Sequence, residues 1–306
     1  MAAVPYVHET EIGETSRRSS AHHNNVKTML RDYTKIKAQN CQLITQFGEK
    51  KFQYPWDITT TTNDDVVVVE REYNTVVILD KDMNLVTTFG QESEDSKLNN
   101  PIGVAVGHNI IAVSEFYEHV VKKFTLQGYY LSKFGSYGSE NGQFNNPQGL
   151  AFNSKGLLYV VNYSNCRVQV FDSSNRFLFK FGSKGSNPGQ LQVPRCIALD
   201  SSDQVYVTDC DISSGGVIVF SEDGHFINKI NCNTPYAICL SPDNCIITSD
   251  GHVITVFSPT HQLITKFGTT GSQRGQFDCI YGVAVNSVGT IFVTENNNHR
   301  LQLITT

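Results

Sequence analysis

Several features are scarce in this 306-residue chain, and each scarcity removes a class of protein. No apolar run reaches the 18 residues or so that a membrane-spanning helix needs, so no span is expected. The first residues mix Glu9, Glu11, Glu14, Arg17 and Arg18 with Ser and Thr. That is not the basic-then-apolar pattern of a secretory leader, so a soluble, unsecreted, cytoplasmic chain is expected. The eight cysteines include no C-x-x-C pair, and several stand where a strand would take a small apolar residue. They read as buried free thiols in a reducing compartment rather than as disulfides or zinc ligands.

What is present is a repeat. Its clearest copy runs from Pro147 to Gly182, PQGLAFNSKGLLYVVNYSNCRVQVFDSSNRFLFKFG, and shows no 3.6-residue periodicity. Four short apolar runs, 149–152, 157–161, 168–171 and 177–181, are separated by turn-forming strings such as Asn153-Ser154-Lys155-Gly156. Four antiparallel strands followed by a polar, Gly-rich connection match the period of a β-propeller blade. Aligned on their opening residues, blades begin at Pro55, Pro101, Pro147, Pro194, Pro235 and Ile280. Only three strands follow Ile280, whereas Cys41 to Gly48, CQLITQFG, nearly copies the fourth strand HQLITKFG at His261 to Gly268. The expected fold is therefore all-β: a six-bladed β-propeller of four-stranded antiparallel blades. The N-terminal strand 41–48 should close the ring in the last blade and leave no open edge there. Residues 41–306 form this domain in the reading, as a monomer. Residues 1–40 form a polar tail, disordered to about Asn24 and then a short helix from Asn25 with Val26, Met29, Leu30 and Tyr33 on one face. Within it, Arg17-Arg18-Ser19-Ser20 has the composition of a basic-directed phosphorylation site.

The spacing G-x-x-G-x-x-x-G-Q-F recurs at 135–144 and 268–277. It reads as a compact turn and not as a phosphate loop, since no helix follows and no Lys-Ser or Lys-Thr closes it. Trp56, the one tryptophan, forms a Trp-Asp pair with Asp57, but at the start of a blade, so the pair is not a WD40 signature. Asp57 also interrupts a series of small residues, Gly103, Gly149, Cys196, Ala237 and Gly282.

The strings YVVNYSNCRVQVF (159–171) and FVTENNNHRLQL (292–303), with G-Q-F and P-x-G-[VL]-A before the first of them, resemble the NHL repeat. Elsewhere the pattern departs, with Thr75, His119 and Gly215 or Gly216 standing near where its arginine belongs. The resemblance implies the carboxy-terminal recognition domain of tripartite-motif ubiquitin ligases, which binds protein or, in some members, structured RNA. A RING, B-box and coiled coil are missing from this sequence, so ligase activity would have to come from a partner or a longer relative. Lactonase-like propellers resemble NHL proteins in architecture and hold a metal on carboxylates and Asn, which makes a metal-dependent hydrolase the third reading.

Each blade ends its second strand on an acid or amide: Glu70, Glu115, Asn162, Asp209, Asp250 and Glu295. A position repeated six times reads as part of the blade, each residue capping its own turn or pairing with Arg167 or Arg300. His119, His252 and His299 recur on separate blades, too far apart to share an ion. No catalytic set, metal or cofactor is expected. The face that gathers the loops between second and third strands carries acids with interleaved aromatics. Tyr73, Glu115, Phe116, Tyr117, Glu118, Tyr163, Arg167, Asp209, Asp211 and Arg300 are its expected partner contacts. Such a surface suits a protein or peptide with basic groups. RNA ranks second, because residues 41–306 carry 18 Lys and Arg against 25 Asp and Glu, a net charge of −7.

Overall fold

The structure is a computed structural model that describes residues 42–47, as backbone, and residues 52–305. The expected tail helix, the basic-serine string and Cys41 lie outside the described residues. Six four-stranded antiparallel sheets stand in a ring. In blade three the strands are Pro147–Phe152, Leu158–Asn162, Arg167–Phe171 and Phe177–Phe181. The other blades repeat this order from the inner strand outward. Blade five is the shortest, and its inner strand is Ala237–Leu240, two residues beyond Pro235.

The sixth blade is composite, as the repeated fourth-strand sequence predicts. Ile280–Val285, Ile291–Glu295 and Arg300–Thr305 supply three strands, and Gln42–Phe47 pairs antiparallel with Arg300–Thr305, with a register shift between Leu43 and Thr45. The two ends of the described chain thus meet in one sheet.

Second and third strands are buried along their whole length in nearly every blade, because both of their faces meet neighbouring blades. Hence they read as continuous runs of Val and Ile, while outer strands such as Phe177–Phe181 alternate. Six hydrophobic clusters fill the six interfaces between blades. One joins Val161, Val168 and Phe181 of blade three to Leu191, Ile197 and Val207 of blade four. Another joins Ile58, Val66 and Val68 of blade one to Phe292 and Leu301 of blade six, across the closure.

Each Gly-rich connection crosses to the next blade and ends on a buried plug: Leu98, Phe144, Leu191 or Phe277. Gly135 takes φ +97°, and a Cβ there would lie 2.5 Å from the Phe144 ring, so the turn and its plug require glycine. The small inner-strand residues answer to crowding between neighbouring inner strands. A Cβ on Gly103 would stand 2.2 Å from the Gln148 carbonyl of the next blade.

Candidate functional site

The inner strands start on one face of the ring, where the blade connections and the loops between second and third strands also lie. The acids that end the second strands hold this face together. Glu70 accepts from the Gln53 amide at 3.0 Å, Glu115 from Asn99 at 2.5 Å, Asn162 from Asn145 at 2.8 Å and Glu295 from Asp278 at 3.2 Å. Asp209 accepts from both Gln192 and Val193, at 2.8 and 2.7 Å. Five of the six therefore tie the approach to their own blade's inner strand; Asp209 also holds its own turn through Asp211, and Glu295 does so through Asn298 while making the expected pair with Arg300. Asp250, in the shortened blade five, does hold its own turn, through Val253 at 2.9 Å. Burial pushes the Glu70 and Glu115 carboxyls above the usual range.

Arg167 and Arg300 complete two of these latches from the first position of their third strands. Arg167 donates to the carbonyls of Ser139, Glu140 and Gln143 at 2.7, 2.8 and 3.3 Å. Arg300 repeats this with Ser272, Gln273 and Gln276, and adds an ion pair to Glu295 at 2.7 Å. Strand register settles which residues replace them elsewhere. Asn162 faces Arg167 and Glu295 faces Arg300, whereas Glu70 faces Thr75, Glu115 faces Val120 and Asp209 faces Gly216. In blade two the arginine position is thus Val120, one residue past His119. His119 and His299 are instead left-handed residues whose Nδ1 atoms accept from Asn146 and Tyr54 of the following blade, at 3.0 and 3.3 Å.

Consequently the ten expected contact residues separate into two groups. Glu115, Arg167, Asp209 and Arg300 are buried and engaged in the latches. Tyr73 and Tyr117 are 55% and 57% exposed, and Glu118 is exposed. Phe116, Tyr163 and Asp211 are half-buried. Phe116 folds back between Tyr117 and Tyr163, with ring centroids 5.0 and 6.0 Å away. Asp211, held near pKa 2 by hydrogen bonds from Ser213 and Ser214, caps its own loop.

A further set of residues on this face went unread in the sequence. The residue after each opening position, Trp56, Ile102, Gln148, Arg195, Tyr236 and Tyr281, contributes one side chain per blade to a collar around the mouth of the central channel. Hydroxyls at the end of neighbouring second strands fix it from behind. Thr294 donates to the Trp56 carbonyl at 2.8 Å and Ser114 to that of Gln148 at 2.6 Å. Trp56 and Tyr281 stack at 4.1 Å and 4°, and Tyr236 meets Tyr281 edge-on at 5.7 Å. Arg71 lies over Trp56 at 4.6 Å, and Arg195 over Tyr236 and Tyr163 at 4.8 and 5.6 Å. A continuous aromatic and arginine arc therefore runs from blade one to the Phe116–Tyr117 loop of blade two, by way of blades six, five, four and three. The repeat position after each opening residue was the available signal; its varied residue types concealed it.

Below the collar a cavity of about 220 Å³ runs between the inner strands. Its one ionisable carboxyl, Asp57, accepts from the Val104 amide of blade two at 2.9 Å and is pushed up to about 7 by burial. Among the described residues no group of three His, Cys, Asp or Glu could hold a metal ion. Among the described residues the seven cysteines form no disulfide, and burial pushes Cys196 and Cys210 up to about 12.

Comparison with known proteins bears on this architecture directly. Residues 144–171 match the NHL repeat, and they span the Phe144 plug, the Asn162 latch and Arg167. Over 150 residues, 49% of the chain, it is 38% identical to the B-box type zinc finger protein ncl-1 of Caenorhabditis elegans. The chain is a six-bladed propeller that carries an NHL repeat. Protein brain tumor of Drosophila melanogaster is 27% identical over 150 residues. The matched stretches span only 17% and 14% of the length of these two relatives. Solved propellers share its fold at low identity. A virginiamycin B lyase from Staphylococcus aureus superposes with a TM-score of 0.61 at 12% identity, covering 87% of this chain and 99% of its own. A Xanthomonas campestris gluconolactonase gives 0.66 at 12% identity, covering 88% and 90%. No helix among the described residues is long and apolar enough to cross a membrane.

Proposed function

We propose that this NHL propeller is a non-catalytic recognition domain that binds a protein partner through its collar and loop face. On this reading residues 41–306 are the recognition unit and residues 1–40 a tail outside it, in a cytoplasmic, monomeric protein. The carrying observation is the aromatic and arginine arc, flanked by the exposed side chains of Tyr54, Tyr73, Tyr117, Tyr137 and Ile212. Tyr, Trp and Arg are the residue types that anchor protein interfaces, and here a rigid scaffold presents them together. The second-strand acids, which a lactonase-like reading would assign to a metal, are engaged with backbone amides instead. The similarity to ncl-1, itself described as a B-box protein, supports a place beside tripartite-motif proteins. The finer reading is substrate recognition or scaffolding in ubiquitin ligation, with a RING supplied in trans.

RNA is the second reading, favoured by one observation: Arg71 and Arg195 lie on aromatic faces, an arrangement that also stacks unpaired bases. The net charge of −7 over residues 41–306 weighs against it. Affinity capture by the propeller with and without nuclease, compared between wild type and Tyr73→Ala/Tyr117→Ala, tests the protein reading.

A further inference from the structure

Blade two departs from blades three and six at the arginine position and two residues beyond it, and a cavity marks the first of these departures. In blades three and six a glutamine two residues beyond the arginine donates to the connection. Gln169 Nε2 reaches the Gln143 carbonyl at 2.7 Å, and Gln302 reaches that of Gln276 at 2.7 Å. Blade two keeps this bond by other means: Lys122, buried, donates to the Lys97 carbonyl and pairs with Glu115 at 3.4 Å. It also keeps the second-strand carboxylate that Arg300 engages in blade six, as Glu115. What blade two lacks is the guanidinium, since Val120 holds that position. A cavity of about 490 Å³ opens there, lined among others by Glu94, Glu115, Glu118, Asn99 and Val120. Three carboxylates, of which Glu115 is already paired with Lys122 in the lining, therefore surround a space that blades three and six fill with arginine. Lys97 and Lys133, which also line it, are exposed, and their long side chains can turn outward.

We propose that this slot receives an arginine side chain from the protein partner, docking in trans where Arg167 and Arg300 dock in cis. The inference rests on the protein-binding reading above and deepens it. The slot lies in the blade whose loop carries Phe116 and exposed Tyr117, so a segment anchored on those rings places a neighbouring residue within reach of it. A planar guanidinium can engage a carboxylate in two parallel hydrogen bonds while donating to carbonyls, and lysine's single ammonium cannot.

The test uses the full ¹⁵N-labelled chain and two probes, N-acetyl-arginine methylamide and its lysine counterpart. Saturable shifts of the Asn99, Glu115 and Val120 amides are expected with the arginine probe, about fivefold or more weaker with lysine. Val120→Arg should fill the slot in cis, abolish those shifts and melt no lower than wild type. Glu94→Gln/Glu118→Gln should weaken the arginine response severalfold, which keeps the test decisive if Val120→Arg folds poorly. Equal responses to the two probes, no response, or an undiminished response in the double variant overturns the proposal. A slot that ignores arginine while capture still depends on Tyr73 and Tyr117 refutes this inference alone. A slot that binds arginine while capture ignores those tyrosines refutes the protein-binding reading instead.

Discussion

Replacing Arg300 with methionine tests how the loop face is held, and Arg167→Met provides an internal control. The two arginines make the same three carbonyl bonds, but their second-strand partners differ. Arg300 neutralises Glu295, whose residue is 0% exposed, whereas Arg167 faces the neutral amide of Asn162. Without Arg300 the Glu295 carboxylate keeps the amide donors of Asp278, Asn298 and Gln302 but loses its counter-charge. Breaking one side of a buried ion pair costs about 3–5 kcal/mol. Losing buried hydrogen bonds to neutral partners costs about 1–3 kcal/mol. At about 2–4 °C per kcal/mol for a domain of this size, Arg300→Met should melt lower by roughly 10 °C and Arg167→Met by about half that. Adding Glu295→Gln to Arg300→Met should recover part of the loss, since an amide needs no counter-charge. Calorimetric melts of the four proteins decide the matter. Equal losses for the two arginines, or a double variant less stable than Arg300→Met, would refute the reasoning.

Asp57 offers a pH test. Its folded-state pKa, about 7, lies above the ordinary 3.8, so the neutral carboxyl is favoured on folding. The corresponding stability is complete below about pH 4, is lost as pH rises from there to about 7, and does not change further above that. Because the carboxyl borders the channel, about 1–2 kcal/mol of the full shift should be expressed. Asp57→Asn should remove that decline between about pH 4 and 7, and an unchanged slope would refute the assignment. Ring closure predicts that deleting residues 1–48 lowers the melting temperature, because it removes the strand paired with Arg300–Thr305, while deleting residues 1–24 does not. Equal melting temperatures for the two truncations would contradict the closure.

Most of the fold was legible in the sequence because blades announce themselves locally. Period-two runs, opening prolines and the G-Q-F connection are each visible within about ten residues. Closure was legible too, since CQLITQFG copies HQLITKFG. The site was less so. Whether an acid latches a backbone amide or faces a partner depends on a connection 16 residues away, as for Glu115 and Asn99. A one-residue ambiguity in the loop after Glu115 hid Val120 behind His119, and with it the empty arginine position. The collar escaped notice because its six members share a position but no residue type, whereas Phe116 and Tyr117 stood out merely by adjacency.

The collar and loop face, not the opposite hairpin face, should capture a protein. Quantitative mass spectrometry of proteins retained by the immobilised full chain, after nuclease treatment, measures it most directly. Tyr73→Ala/Tyr117→Ala is the test variant. Tyr129→Ala/His225→Ala, exposed on the hairpin face, is the control. A specific set of proteins should be retained, falling about tenfold or more with the test variant and staying unchanged with the control. Retention that ignores the loop-face substitutions, falls with the control, or disappears on nuclease treatment would contradict it.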